Sequence, residues 1–96
     1  MAIASFAPTA TIVLDAGATS SNAALPTTGT PTVALVSNPN AAPVWVQLGG
    51  SSVTASPSSS LVVAPNGQVA LTIGANTYVA VISLYGVEGV NVTVGT

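Results

Sequence analysis

The sequence contains no lysine, no arginine, no histidine and no cysteine, and its only acidic residues are Asp15 and Glu88. Ordinary soluble domains are about 25% charged; this chain is 2% charged, with a formal net charge of −2. Each absence removes a class of function. Affinity for phosphate backbones comes from lysine and arginine, so no nucleic acid is expected as a direct partner. Anionic membrane surfaces are excluded for the same reason. Without cysteine there is no disulfide framework and no thiolate nucleophile. Without histidine, a metal site would have to be built from two isolated carboxylates, so neither a metal nor any other cofactor is expected.

Long apolar runs are also missing. No stretch approaches the ~18 uninterrupted apolar residues of a membrane-spanning helix, and Met1–Pro8 lacks the basic start and apolar stretch of a signal peptide. The reading is a protein made and folded in a cytoplasm, without membrane insertion. Disorder is not expected either, because disordered chains combine low hydrophobicity with high net charge. Here 49% of residues are hydrophobic and the mean hydropathy is +0.74.

What the chain does have is a succession of short Val/Ile/Leu/Thr runs separated by Pro, Gly, Asn and Ser. This is the signature of an all-β domain. All seven prolines fall between the runs or at their ends, as expected of a residue that cannot donate to a ladder. The pattern predicts strands at Thr9–Asp15, Thr32–Ser37, Pro43–Leu48, Ser52–Ala55, Ser60–Ala64, Gln68–Ile73, Thr77–Leu84 and Val90–Val94. In Gln68–Ile73, strict alternation predicts Val69, Leu71 and Ile73 inward. In Val90–Val94 it predicts Val90, Val92 and Val94 on one face. Thr77–Leu84 is apolar on both faces and reads as a central strand covered on both sides.

Turn chemistry predicts chain reversals at Ala64-Pro65-Asn66-Gly67, Gly74-Ala75-Asn76 and Gly86-Val87-Glu88-Gly89, and these suggest a β-meander from Leu48 onward. Residues 1–8 read as an N-terminal arm. Ala16–Pro31 reads as a long loop, with at most one helical turn at Ser20–Leu25. The whole is a single small antiparallel β-sandwich of about eight short strands; jelly-roll and Ig-like topologies both satisfy it.

Catalysis is not expected. Asp15 and Glu88 each stand near glycine at a predicted strand end, and read as a turn residue and a hairpin tip rather than an acid–base pair. The many serines have no histidine or lysine to activate them. Asn91-Val92-Thr93 matches a glycosylation sequon, but lies in a predicted strand of a chain with no export signal.

The aromatic residues carry more information. Trp45 alternates with Val44 and Val46. The simplest expectation is that Trp45 fills the core; the alternative, with the valines in the core, makes it an outward anchor for a partner. Phe6 ends an apolar arm and is expected to dock on its own domain or on a neighbour. Sheet edges are normally guarded by lysine, proline, bulges or inward charge, and no lysine exists here. With so little charge to keep copies apart, the domain is expected to associate. The expected contact residues are Phe6, Trp45, Tyr78, Tyr85, Leu25 and Pro26.

The stretch Ala42-Pro43-Val44-Trp45-Val46-Gln47-Leu48-Gly49-Gly50-Ser51-Ser52-Val53-Thr54-Ala55, followed by Asn76-Thr77-Tyr78-Val79-Ala80-Val81-Ile82 and a valine-rich ending, resembles small β-rich proteins of tailed bacteriophages. Those carry a comparable Ala-Pro-Val-aromatic-Val strand, a Ser/Thr-rich turn, a Pro/Gly reversal and a Tyr-led apolar strand. The likeness covers the C-terminal 55–60 residues or so. It implies a virion protein that decorates or cements a capsid shell as a homo-oligomer, with the major capsid protein and its own copies as partners. A tail, fibre or neck component, or a non-viral adhesion module, is the alternative. The middle strands carry no charge, so apolar and edge-strand contacts, not ion pairs, are expected to hold it.

Overall fold

The structure, a computed structural model, describes residues 7–84 and 88–96. It is all-β, with eight strands: β1 (Pro8–Ala16), β2 (Ser21–Ala24), β3 (Val33–Ser37), β4 (Val44–Gly49), β5 (Leu61–Val63), β6 (Gln68–Thr72), β7 (Tyr78–Ile82) and β8 (Glu88–Gly95). They form two four-stranded antiparallel sheets, in the orders β1-β8-β3-β6 and β2-β7-β4-β5.

The pairing is nested. The first strand pairs with the last, β2 with β7, β3 with β6 and β4 with β5. The chain therefore behaves as one long hairpin wrapped over itself, and the β3–β8 and β4–β7 ladders close each half into a sheet. This is the jelly-roll arrangement of two Greek keys, not the Ig-like one.

The alternation in the sequence dictates the core. Val90, Val92 and Val94 are fully buried, facing Leu14, Ala34 and Val36 of their own sheet and Val44, Val46, Val63, Val79 and Val81 of the other. Val69 and Leu71 pack against this cluster, while Gln68, Ala70 and Thr72 are exposed. Most of the core is valine, the β-branched residue that suits a pleated, half-buried surface.

Four expectations are corrected. Ala16–Pro31 contains a strand, β2; Ser-Asn-Ala-Ala has no β-branched residue, and it is extended because β7 supplies a pairing partner. Ser52–Ala55 is not a strand: a turn over Gly50–Val53, closed by Val53 N–H to the Gly50 carbonyl at 3.0 Å, takes the chain out of the ladder. The β-meander is absent, because β5, β6, β7 and β8 alternate between the two sheets. The predicted reversals exist as corners between sheets. Asn66 adopts φ 57° and Gly74 φ 58°, and Gly67 and Asn76 close their turns on the carbonyls of Ala64 and Ile73. The third reversal falls partly on residues 85–87, outside the described residues, but β7 and β8 lie in different sheets, so it joins no hairpin.

One end of the sandwich is knitted by a buried polar side chain. Asn38, 1% exposed, donates from Nδ2 to the carbonyls of Ala42, Val63 and Ala64, and its Oδ1 accepts from the backbone and side chain of Asn40. Asn40 in turn donates to the Gly89 carbonyl at 2.8 Å. The β3–β4 connection is thereby tied to the end of β5 and the start of β8, and the buried amide is satisfied, as buried polar groups require.

Candidate functional site

The surfaces available for recognition differ between the two sheets. The middle of the outer face of the β2-β7-β4-β5 sheet, around Trp45, Ala80 and Ile82, is covered by the chain itself, while Gln47 and Val62 on the same face stay exposed. The long connection from β4 to β5 crosses this face as a strap, on which Val53 and buried Ala55 pack with Trp45, Ala80 and Ile82 into a second apolar cluster. The strap is fastened by polar contacts. Asn22 Nδ2 donates to the carbonyls of Ser51 and Val53, and Ala55 N–H donates to Ser20 Oγ at 2.8 Å. Gly49 is required beneath it, because a Cβ there would stand 2.7 Å from Val53 Cγ2.

This resolves Trp45. Val44 and Val46 hold the core, at 0% and 1% exposure, so the expectation that Trp45 fills it is wrong. Trp45 faces outward, as the alternative had it, and lies half-buried against its own strap. Strand pairing sets Trp45 opposite Ile82, and Tyr78 opposite both Gly49 and Ala24. Tyr78 is likewise half-buried. Both sides of β7 are therefore covered, one by the core and the other by the strap.

The outer face of the β1-β8-β3-β6 sheet has no such cover among the described residues. Register places Val13, Asn91, Ser37 and Gln68 in one row across it, and Thr11, Thr93, Leu35 and Ala70 in the next. Thr11 and Thr93 hydroxyls meet at 2.9 Å. Val13 is 65% exposed, and Leu35 is half-buried. The face is mixed Thr/Asn/Ser/Val in character and, among the described residues, carries a single ionisable group in Asp15, which is exposed.

Leu25 and Pro26 were expected at an interface. They line a cavity of about 300 Å³ at the other end of the sandwich, shared with Thr27, Thr30, Pro31, Ile73, Asn76 and Thr77. Leu25 itself is buried and belongs to the core, with its N–H donating to the Thr77 carbonyl. The cavity wall offers hydroxyl and amide groups but nothing ionisable. Exposed apolar residues elsewhere are Leu61 and Val62 on the short edge strand β5, and Leu84. Phe6 and Tyr85 lie outside the described residues.

Asp15 is not in a turn, as its neighbours suggested; it sits inside β1, opposite Gly89, while Glu88 stands opposite Ala16. The two acidic residues of the sequence thus fall at neighbouring register positions. No group of three or more His, Cys, Asp or Glu side chains gathers among the described residues.

Comparison with family models, with curated proteins and with solved structures returns no match.

Proposed function

We propose that the chain is a structural subunit of a bacteriophage virion that decorates or cements the capsid shell, packed against the major capsid protein and copies of itself. One observation carries this reading: an internal strap covers the middle of one sheet, while the outer face of the other has no such cover among the described residues and is almost uncharged, with Val13 65% exposed at its margin. A free monomer guards such a surface with lysine or a larger net charge, and this chain has neither. The sequence resemblance to small phage β-proteins supplies the setting.

Attachment then rests on apolar burial, at about 25 cal/mol per Å² removed from water, and on main-chain hydrogen bonds at strand edges. The test is the protein content of purified particles, after digestion with pepsin or chymotrypsin, since no lysine or arginine offers trypsin a site. A shell role expects hundreds of copies, retained in molar NaCl and released by urea. A few copies, or a dozen, assign it instead to a tail or neck. Release by molar NaCl alone overturns apolar attachment, and absence from particles overturns the virion role.

A further inference from the structure

Four strands form the edges of the sandwich: β1 and β6 in one sheet, β2 and β5 in the other. Short strands are a standard protection against edge pairing, and β2 has four residues, β5 three and β6 five. β1 has nine. Its first residues are guarded by Pro8 and by the register shift between Pro8 and Ala10. The β2–β3 connection also runs beside Thr9, whose Cγ2 lies 2.7 Å from where a Cβ on Gly29 would stand. From Ala10 to Ala16 the edge is regular, and no described residue pairs with its far side.

The direction of its free backbone groups follows from β8. Thr96 and Ala7 exchange both hydrogen bonds, while the Gly95 carbonyl accepts from Thr32 on the β3 side. Antiparallel ladders alternate, so Val94, Val92 and Val90 bond toward β1 and engage Ala10, Ile12 and Leu14. Thr11, Val13 and Asp15 therefore aim their N–H and C=O groups at the open edge. The 2.9 Å contact between the hydroxyls of Thr11 and Thr93 agrees, because side chains approach most closely at non-hydrogen-bonded pairs.

The geometry points to a two-fold antiparallel pairing of β1 with β1 of a second copy, centred on Val13. This inference deepens the assembly reading above by naming the edge and its occupant. In this register Val13 faces the second copy's Val13, which buries the most exposed of the large apolar residues. Thr11 faces Asp15 on both sides of the axis, so each carboxylate meets a hydroxyl rather than another carboxylate. The Thr11 hydroxyl can accept from Thr93 and donate to that carboxylate. The two Asp15 residues stand about 14 Å apart along the strands, beyond the screening length of about 8 Å at physiological salt. The three outward residues of each copy supply about six main-chain hydrogen bonds. The two uncovered sheets merge into one of eight strands.

The absence of cysteine makes the register directly testable on the purified chain. Val13 of the two copies would be about 5.5 Å apart between Cα atoms, within disulfide reach of about 4.4–6.8 Å. Under mild oxidation V13C should cross-link to itself. T11C alone and D15C alone should not, whereas a mixture of T11C with D15C should. Sedimentation should find the unmodified chain dimeric. V13K sets two lysines opposite each other, and V13P removes an outward donor that β8 does not use. Each should raise the dimer dissociation constant by about five-fold, with the urea midpoint showing that the domain still folds. A chain that stays monomeric without V13C cross-linking overturns the pairing. So does association undiminished in V13K and V13P, or T11C linking to itself as readily as to D15C. These experiments need no particle, so their failure leaves particle stoichiometry to judge the virion reading, and the reverse.

Discussion

Asn22 and Val53 are joined across the outer face of the second sheet: Asn22 Nδ2 donates to the Val53 carbonyl at 3.2 Å. With the companion bond to Ser51 at 3.1 Å, one exposed side chain on a four-residue edge strand fastens a strap that has no ladder of its own. Asn22→Ala should destabilise the domain by about 1–2 kcal/mol. Gly49→Ala should loosen the same segment by pushing Val53 off the sheet. Trp45 is the sole tryptophan, so acrylamide quenching of its fluorescence reads the strap directly, and it should rise in both variants.

Asn38, 1% exposed, holds one end of the sandwich through its side-chain amide. Asn38→Ala leaves three carbonyls and the Asn40 donors short of a partner, at about 1–3 kcal/mol per group stranded without water. A loss of about 3 kcal/mol in total corresponds to a Tm lower by roughly 12–24 °C for a domain of this size. Calorimetry showing a shift of only a few degrees would mean that the end of the sandwich does not depend on this residue.

Val92 and Val62 make a matched pair for separating burial from chemistry, at 0% and 50% exposure. Val92→Ala should cost about 2–3 kcal/mol through lost transfer energy and the cavity left behind. Val62→Ala should stay within about 0.5 kcal/mol. Urea titration of the two variants checks the contrast.

Thr30, on the cavity rim, adopts φ 49°, a left-handed conformation that β-branched residues avoid. Thr30→Gly should relieve strain of about 1–3 kcal/mol, less the entropy that glycine adds to the unfolded chain, about 0.4–1 kcal/mol. The expected outcome is a modest rise in Tm. A fall would show that the Thr30 hydroxyl, which donates to the Gly29 carbonyl at 2.7 Å, outweighs the backbone.

Salt should be nearly inert toward folding. With no basic side chain in the sequence, there is no side-chain ion pair for salt to screen. The urea midpoint should change little between low salt and 0.5 M NaCl, and a marked fall would reveal an electrostatic contribution that the composition does not contain.

The sequence by itself determined the class of structure and the faces of its plainest strands. Period-two alternation placed Val69, Leu71 and Ile73 inward, and likewise Val90, Val92 and Val94, because burial on a pleated strand is a local property of spacing. Asn66 and Gly74 marked real reversals because positive φ is also local. Sheet membership was not local. The corners at 64–67 and 73–76 look like hairpin turns, yet each delivers the next strand to the opposite sheet, since a turn fixes reversal and not the partner found after it. β2 was illegible because Ser-Asn-Ala-Ala is extended only by virtue of β7 beside it. Trp45 was harder to place: Gln47 on its own face pointed outward while Val44, Val46 and Leu48 offered an apolar face to the core, but a large aromatic beside β-branched residues suits either side, and the packing of Val44 and Val46 against the opposite sheet decided it. The absence of lysine announced an unguarded surface. Tertiary structure alone selected which one: the nested pairing puts nine-residue β1 at an edge, regular from Ala10 to Ala16, and the strap crosses the outer face of the other sheet.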